Sequence, residues 1–474
     1  MAGEVSGSYD SVIVGAGPTG SFCALALARK GERVALLEAS PNASRRLAGE
    51  WLHPPAVRAL KGIGIDFSDN ETEYCPGKGF VVFPGDAKDP ILLTYREGSQ
   101  GMSCEHSVLV SRLHRAVERE TRIDFHLGAR VIEVEDGQAR FTHDGGEHVA
   151  SARRIIGADG RSSVVRRSLG IASGTSPCST MIGLLLHDVN MEFEGYGHLL
   201  CGKPGPILIY RLAQHDVRML IDLPKNLSRS RGWVDTVIRS YEETVPPGLR
   251  DAFIKALREG EFAAAANRLE PRISFGNERR VLLGDAVGHY HPLTAAGMTI
   301  GLGDALALSE SETFDRFVKR RVRETHGPSL LAMGVYEVFA SEHSEDIALR
   351  QAIFERWRLH PKVCDRTISY LGWDNTSVVS LGLSFTATVI KALVGMLPRS
   401  GNRAAWKETN AAVTALISRL WWLVHGVHHW RHGGERKRDQ VYRSLARAFS
   451  FSMPLKNGNG ARQPASTHSP SSKQ

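Results

Sequence analysis

The chain has few cysteines, and their spacing matches neither a disulfide framework nor a metal site. Its 474 residues include six cysteines, no two of which form a C-x-x-C pair, so free thiols in a reducing compartment are expected. No metal site is predicted either. Four histidines near the C-terminus share a helical face, but they have no carboxylate or cysteine beside them and are interpreted as interfacial polar residues: His425, His428, His429 and His432.

Long apolar runs are also scarce. The residues before Tyr9 lack the charged and apolar regions of a signal peptide, which predicts a cytoplasmic protein. The most lipid-like stretch, Ser377 to Leu397, is interrupted by Lys391 and several Ser and Thr, whereas a spanning helix needs about 20 predominantly apolar residues. We therefore expect peripheral membrane contact through helices that lie in the interface. A soluble helical subdomain packed on the core is the alternative.

Acidic residues are depleted towards the C-terminus. Residues 399–474 contain 13 Lys and Arg against 3 Asp and Glu, although the whole chain carries a net charge of only +8. This basic region also contains large apolar and aromatic residues such as Trp421 and Trp422, a mixture that suits an anionic membrane surface better than nucleic acid. No nucleic-acid partner is expected. Beyond Asn457, the Gly, Ser and Pro content predicts a disordered tail.

A dinucleotide-binding fingerprint is present once, near the N-terminus. An apolar strand from Tyr9 runs into G-x-G-x-x-G at Gly15, Gly17 and Gly20, and Glu38 closes the next strand. In this arrangement the glycines allow a tight turn and bring phosphates to a helix N-terminus, and the acid accepts hydrogen bonds from a ribose. Because the motif does not recur, no second Rossmann domain for NAD(P)H is expected. NAD(P)H must bind transiently, or an external reductase must supply the electrons.

Two later segments resemble the remaining fingerprints of flavoprotein monooxygenases. One contains Asp159-Gly160 and the other Gly284-Asp285. The resemblance implies non-covalent FAD, with Asp285 on its ribityl chain or ribose. The helix that follows Pro292 would point its N-terminus at the flavin ring, where a positive helix dipole suits a ring that becomes anionic on reduction.

Other motifs are similar to those of squalene epoxidases in particular. Residues 46–54 resemble their R-x-x-G-E-x-L-x-P segment, and residues 291–299 resemble their H-P-L-T-G-G-G-M-T. The likeness covers most of Tyr9 to about Leu397. In two places the chain differs, with Gly79-Phe80 where relatives have Gly-Tyr and Ala295-Ala296 where they have two glycines.

The resemblance also implies a set of site residues. Three are expected at the reaction centre, namely Phe80, Pro292 and Gly297. The expected cofactor contacts are Gly15, Gly17, Gly20, Glu38, Arg46, Glu50, Arg112, Asp159, Asp285, Gly297 and Met298.

The expected fold class is α/β, with a Rossmann-like FAD-binding domain, an inserted mostly antiparallel substrate sheet and a helical C-terminal region. The FAD-binding domain spans residues 1–175 and 276–325, with some substrate-domain strands near 78–106. The substrate domain covers 176–275. A helical, membrane-associated region at 326–453 precedes the tail at 454–474. A ligand cleft is expected between the first two domains.

The resulting hypothesis is an FAD-dependent monooxygenase. A C4a-hydroperoxyflavin would transfer one oxygen atom from O2 to an apolar alkene, as in the epoxidation of squalene or of a related isoprenoid or prenylated metabolite. Alternatives of the same fold are a prenyl reductase and an aromatic hydroxylase. A non-enzymatic prenyl-binding escort protein is a third alternative. Halogenases are disfavoured because their W-x-W-x-I-P segment is absent.

Overall fold

The structure is a computed structural model, and it describes residues 3–42, 50–70, 72–85, 88–171, 177–202, 204–224, 231–341, 343–396 and 413–414. The strands in chain order are β1 (Gly3–Val14), β2 (Val34–Glu38), β3 (Trp51–Leu52), β4 (Cys75–Gly77), β5 (Gly79–Phe83), β6 (Ile91–Thr94), β7 (Gly101–Ser103), β8 (Ile123–Leu127), β9 (Arg130–Glu135), β10 (Gln138–His143), β11 (Gly146–Gly157), β12 (Ser179–His187), β13 (Tyr196–Leu200), β14 (Ile207–Arg211), β15 (Asp216–Pro224), β16 (Phe262–Asn267) and β17 (Arg280–Leu282). The helices are α1 (Pro18–Ala28), α2 (Pro54–Gly62), α3 (His106–Glu118), α4 (Val164–Ser168), α5 (Trp233–Tyr241), α6 (Pro247–Glu259), α7 (Gly297–Glu310), α8 (Phe314–Ala340), α9 (Ser344–Leu359), α10 (Pro361–Leu371) and α11 (Val378–Met396).

The first sheet confirms the Rossmann-like expectation. Strand β1 lies between β2 and β11 in parallel register, β8 extends the sheet beyond β2, and β17 pairs with β11. Strands β10 and β9 continue it as an antiparallel meander. Helix α1 is buried from Gly20 to Ala28, and it packs with α7 and the sheet in one apolar core. A parallel sheet covered on its faces explains why residues 12–14 of β1 and 34–37 of β2 are continuous apolar runs.

The second sheet confirms the mostly antiparallel expectation. Its strand order is β16-β12-β15-β14-β13-β5-β6, and only the β13–β5 pair is parallel. Strands β5 and β6 come from the segment between Gly79 and Thr94, so an early part of the chain joins the later sheet. Strand β16 was not predicted from the sequence. Its four alanines favour a helix by propensity, but backbone pairing with β12 along the sheet edge overrides this preference.

Helices cover the second sheet. Helices α5 and α6 pack against residues of β12, β14 and β15. Helices α8, α9 and α10 contribute to a separate apolar cluster that includes Phe80, Leu208, Leu293, Phe339 and Trp357. The sheet therefore separates two apolar layers, and the second of these layers encloses the cavity described below. Strands β3, β7 and β4 form a small third sheet near the joint between the two large sheets.

Helix α11 is the one helix among the described residues that is long and apolar enough to cross a membrane by length and composition alone. It packs on α9 through Val389 and Ala392. Trp421, Trp422 and the predicted tail at 454–474 lie outside the described residues, as does Arg46. All six cysteines are unpaired, as expected.

Candidate active site

The turn between β1 and α1 requires glycine at two positions. Gly15 adopts the left-handed backbone region with φ of +95°, and a Cβ there would lie 2.7 Å from the carbonyl oxygen of Ala158. A Cβ at Gly20 would lie 1.8 Å from the carbonyl oxygen of Gly15. Because neither backbone contact can open without moving a buried strand, these two glycines set the shape of the loop.

The N-terminus of α1 is open to a ligand. Gly17 is its N-cap residue, and no side chain caps the helix. A Cβ added to Gly17 would meet no atom within 4 Å. The first N–H groups of a helix have no partners within the helix and favour an anion. This end of α1 thus provides free donors and open space where a pyrophosphate is expected.

Two side chains hold the glycine loop from opposite sides. Glu38 Oε2 accepts a hydrogen bond from the backbone N–H of Ala16 at 2.7 Å, and Oε1 accepts one from Ser40 at 2.8 Å. His114 Nε2 lies 2.7 Å from the carbonyl oxygen of Ala16, and since a carbonyl only accepts, that nitrogen carries the proton. His114 was not predicted from the sequence. Arg112 was the predicted residue on the same helix.

Asp159 lies at the crossing from β11 to the 3₁₀ turn Gly160–Ser162, beside Gly15. Its Oδ2 accepts from the backbone N–H of Val164 at 2.6 Å. Its Oδ1 is buried and has no hydrogen-bond partner among the described residues. Burial raises the pKa of this carboxyl group. A buried polar oxygen without a partner costs free energy, so Oδ1 is positioned to bind a donor from a ligand.

A buried ion-pair network holds the Gly284-Asp285 turn. Asp304 on α7 is fully buried, and its carboxylate pairs with the guanidinium groups of Arg272 and Arg321. It also accepts from the backbone N–H of Gly284 at 2.8 Å, while Arg272 donates to the carbonyl of Gly284 at 2.9 Å. Asp285 itself is partly exposed, 3.5 Å from Arg161. The network therefore fixes the turn and leaves the Asp285 carboxylate accessible.

The entry to α7 is a second open helix N-terminus. A 3₁₀ turn at Pro292–Thr294 leads through Ala295, which has a left-handed φ of +51°, to the first helical residue Gly297. No side chain caps α7, and a Cβ at Gly297 would meet no atom within 4 Å. Met298 is buried in the core of the first domain. The free N–H groups of α7 consequently face open space, as those of α1 do.

A series of buried hydrogen bonds holds the turn before α7 in place. Trp51 Nε1 donates to the Tyr95 hydroxyl at 3.2 Å, and that hydroxyl lies 2.7 Å from His53 Nδ1. His53 Nε2 lies 3.0 Å from the carbonyl oxygen of Thr294, so Nε2 carries the proton and Nδ1 accepts from Tyr95. These hydrogen bonds need a neutral imidazole. Burial lowers the pKa of His53 to about 4 and keeps it neutral.

A second buried cluster links the turn to the substrate sheet. His291 Nε2 lies 3.1 Å from Ser179 Oγ and 3.2 Å from Asp222 Oδ1. Asn267 Nδ2 donates to the same Asp222 oxygen at 3.0 Å, and the His291 ring stacks on Tyr336 at 3.9 Å. The residue before Pro292 is thus tied to strands β12, β15 and β16 and to helix α8.

Two predicted cofactor contacts bind protein groups instead. Glu50 is buried, and its two oxygens accept from Arg218 at 2.8 and 2.7 Å and from the Tyr210 hydroxyl at 3.2 Å. Arg112 donates to Asp69 and Glu73 and lies over the ring of Phe67. Both assignments stay predictions. The contacts observed here give Glu50 a role in joining the two sheets and Arg112 a role at the α3 surface.

Phe80 lines a large apolar cavity between the second sheet and helices α8 to α11. Its ring packs 5.1 Å from Trp51 and 5.9 Å from His53. The cavity holds about 1430 Å³ of empty space, including its open mouth, and begins at Leu293 and Thr294 of the turn before α7. Most of its lining is aliphatic or aromatic: Val82, Leu93, Leu199, Leu208, Leu330, Leu331, Val335, Val338, Phe339, Ile353, Trp357, Val363, Leu371, Leu381 and Phe385.

Sequence comparison identifies the family. The profile of the squalene epoxidase family matches residues 151–404, more than half of the chain, and that of FAD dependent oxidoreductases matches residues 10–63. The chain belongs to the squalene epoxidase family. It is 28% identical to squalene epoxidase 2, mitochondrial, of Arabidopsis thaliana, over 85% of this chain and 73% of the relative. It is 29% identical to squalene monooxygenase SE1 of Panax ginseng, over 82% and 76%.

Solved structures agree with the fold. The flavin-dependent brominase Bmp2 matches with a TM-score of 0.66 at 16% identity, over 80% of this chain and 98% of the brominase. At that identity the likeness concerns the fold alone and carries no halogenase activity to this chain. The family match and the fold of the solved structures together show that the protein is an FAD-dependent monooxygenase. The interpretations as a prenyl reductase or an escort protein are not supported.

The site fits FAD. Two uncapped helix N-termini with open glycines, at Gly17 and Gly297, provide free donors at the places where a pyrophosphate and a flavin ring are expected. Glu38 stands at the end of β2 beside the loop, and Asp159 Oδ1 lacks a partner. These residues would hold the dinucleotide, and the accessible Asp285 would bind its ribityl chain or ribose.

Three supporting groups were missed from the sequence: His53, His114 and the Asp304 network. His114 and Asp304 lie on the buried faces of α3 and α7, so each could have been noticed as a polar residue on an apolar face. His53 falls within the recognised R-x-x-G-E-x-L-x-P segment but gave no separate signal. Their partners are distant in sequence, for example 246 residues between His53 and Thr299.

Proposed function

We propose that this enzyme epoxidises an alkene in a long apolar isoprenoid, such as squalene or a prenylated metabolite. The observation that supports it best is the cavity, which is lined almost wholly by hydrocarbon and begins at the turn that leads into α7. An apolar chain that fills it would gain roughly 25 cal/mol for each Å² removed from water. The names of the relatives, squalene epoxidase and squalene monooxygenase, support the same substrate class.

Bound reduced FAD supplies O2 activation at its C4a position. The protein positions the substrate and excludes water. Leu293, Thr294 and Phe80 form the part of the cavity wall next to the turn, and the His53 chain fixes that turn through the Thr294 carbonyl. We propose that Phe80, Pro292 and Gly297 border the reacting alkene. The mostly apolar wall there would exclude water from the reacting groups.

Electrons reach the flavin from NAD(P)H, either directly or through a separate reductase. The described part of the chain contains one Rossmann-like sheet with one glycine loop. A nicotinamide would therefore bind transiently in the shared cleft. Stopped-flow reduction of the bound flavin by NADPH alone and then with a reductase would separate the two routes.

We further propose that α11 rests on a membrane surface. Val379, Leu383, Ile390 and Val394 are 60, 68, 55 and 61% exposed, and at 100° per residue they fall within one narrow stripe of the helix. The buried residues of α11, such as Leu381 and Val389, lie on the opposite side. Leu381, Ser384, Phe385 and Thr388 of the same helix line the cavity. An apolar substrate could thus pass from lipid to the cavity beside one helix.

The activity is tested by reducing the enzyme without oxygen and mixing it with ¹⁸O2 and squalene or other terpenes. We expect an epoxide that carries one ¹⁸O atom for each O2 consumed. Release of hydrogen peroxide with every alkene, without any epoxide, would remove the isoprenoid assignment and leave the flavin assignment standing.

Filling the cavity gives a sharper test. Gly334 lines the cavity, and a Cβ there would meet no protein atom within 4 Å, so Gly334→Leu should occupy substrate space without a clash. We expect a KM for squalene at least several-fold higher and unchanged flavin content. Gly62→Leu is the matched control, because Gly62 is exposed and also has open space beside it. Equal squalene kinetics in both variants would contradict the assignment of this cavity.

Membrane contact is tested by sedimentation with vesicles of phosphatidylcholine with and without phosphatidylglycerol. The double variant Leu383→Glu and Ile390→Glu should reduce the bound fraction several-fold, because charged groups would enter the lipid interface. Ile132→Glu, on an exposed strand of the first domain, is the control. Unchanged binding of the double variant would show that α11 is not the contact surface.

A further inference from the structure

Among the described residues that line the cavity, one side chain is charged. Of its 24 lining residues, Arg356 on α9 is the only charged one. Thr294 Oγ1 also lines the cavity and has no hydrogen-bond partner among the described residues. Two other polar lining groups are satisfied within the protein. Trp357 Nε1 donates to Thr367 Oγ1 at 3.0 Å, and the Tyr370 hydroxyl donates to Ser380 Oγ. Arg356 is therefore the lining residue whose charge a pure hydrocarbon ligand would leave without a counter-charge.

Arg356 is only partly satisfied by the protein. Its Nη1 donates to the carbonyl oxygen of Ser384 at 2.7 Å and to Thr388 Oγ1. A guanidinium group has five N–H donors, and no carboxylate in the described part of the chain lies within ion-pair distance of this one. The adjacent acid, Glu355, pairs with Lys391 at 3.0 Å instead.

Three buried arginines have a different environment, because Arg218, Arg272 and Arg321 each pair with a buried carboxylate. The buried Arg166 donates mainly to backbone carbonyls and has a carboxylate only at 3.9 Å. Arg356 is half-buried, and burial together with the nearby cation Arg366 lowers its pKa. A partly buried cation without a counter-charge is unfavourable, and an anionic ligand removes that cost.

We propose that the physiological substrate is an isoprenoid that carries an anionic oxygen group, a carboxylate or a phosphate, at one end, and that Arg356 binds this group. The inference rests on the proposed function and narrows its substrate class. Arg356, Ser384 and Thr388 belong to the wall formed by α9 and α11, whereas Leu293 and Thr294 belong to the turn before α7. The head group would thus lie on the helical wall, and the apolar chain would extend towards the turn, so oxidation falls on a double bond away from the charged end.

The test compares ligands that differ only in the head group. Binding of geranylgeranoic acid, geranylgeranyl phosphate, geranylgeraniol and squalene is titrated against the FAD-loaded enzyme through the flavin absorbance. The wild type should bind the acid or the phosphate at least 10-fold more tightly than the alcohol. Arg356→Met should weaken anion binding by roughly 10- to 100-fold, the range for a charge-assisted contact, and leave alcohol and squalene binding unchanged. The preferred anion in the wild type identifies the head group.

Arg358→Met is the matched control, since it removes a charge from the same helix outside the cavity lining. Arg356→Lys should retain part of the preference for the anion. If Arg356→Met lowers thermal stability but binds the anions as tightly as the wild type, Arg356 only supports α11 and the inference is wrong. It is also wrong if the wild type binds squalene as tightly as the acid.

The binding and turnover experiments distinguish a failure of the anion site from a failure of the proposed function. Charge-dependent binding without epoxidation of any isoprenoid would overturn the proposed function and keep Arg356 as an anion site. Epoxidation of squalene without any effect of the head group would keep the proposed function and remove the anion site.

Discussion

The two open helix N-termini of the FAD site are built by opposite means. The loop before α1 takes its shape from local residues, since Gly15 supplies the left-handed backbone and Gly20 the close contact. The turn before α7 has an alanine, Ala295, in the left-handed region. The turn is held by groups distant along the chain: His53 contacts the Thr294 carbonyl, and Ser179 and Asp222 contact His291. An open helix N-terminus can therefore arise from the backbone freedom of glycine or from tertiary contacts that hold the turn.

The largest effect is expected in the locally built loop. Gly20→Ala places a Cβ 1.8 Å from the carbonyl oxygen of Gly15, so we expect insoluble or flavin-free protein. Gly17→Ala has open space around its Cβ and should fold while binding FAD at least 10-fold more weakly. Flavin content and circular dichroism measure both. Soluble, flavin-loaded Gly20→Ala would show that the strand and helix can separate at this contact.

Loss of the buried charge of Asp304, on α7, should have the next largest effect. Asp304→Asn leaves Arg272 and Arg321 without their counter-charge and should lower the free energy of unfolding by about 3–5 kcal/mol. Denaturant unfolding of the FAD-free protein measures it. Asp315→Asn, at an exposed position of α8, should change stability by less than about 0.5 kcal/mol. Similar values for the two variants would mean that the network does not anchor α7.

The turn before α7 should be sensitive to acid. The pKa of His53 is about 4 in the folded protein and about 6.5 in an unfolded chain, so the unfolded state binds more protons between these values. The contribution of His53 to the free energy of unfolding is fully present above about pH 6.5. It is lost as the pH falls through about 4, by roughly 3 kcal/mol in total at 1.36 kcal/mol per pKa unit.

Unfolding measured from pH 7.5 to 4.5 checks this, with His53→Gln as the test variant and His187→Gln, at an exposed position, as the control. His53→Gln should flatten the pH dependence and His187→Gln should not. Equal slopes in all three proteins would assign the acid sensitivity to other groups.

The smallest expected effect has opposite signs at two adjacent residues. Ala295→Gly relieves a left-handed backbone and should raise the free energy of unfolding by up to about 1 kcal/mol. Ala296→Gly removes a buried methyl group and gives the unfolded chain more freedom, and it should lower the free energy of unfolding by about 0.5–1 kcal/mol. Thermal unfolding of both variants measures the difference. Destabilisation by both would show that Ala295 is not strained.

Much of the fold could be predicted because its signals are local. The strand before Gly15, the four strands between Met181 and Leu223 and the helix Pro247–Glu259 all follow from apolar periodicity and turn residues. Strand β16 could not be predicted, because its alanines form a strand only where β12 offers backbone groups. The sequence predicted Arg112 at the glycine loop, but His114 contacts the loop instead, for a similar reason. Both lie on α3, and only the packing of that helix decides which one reaches the Ala16 carbonyl.

The amino-acid sequence alone determined the dinucleotide loop, the fold class and the kinship with squalene epoxidases, because glycine spacing and strand periodicity act over a few residues and survive without knowledge of neighbours. Tertiary structure decided the rest. It brought His53 under Thr294, paired Asp304 with two arginines and enclosed Arg356 in a hydrocarbon wall. Such groups acquire their function from desolvation and from partners distant along the chain, and both exist only after the sheets and helices have packed.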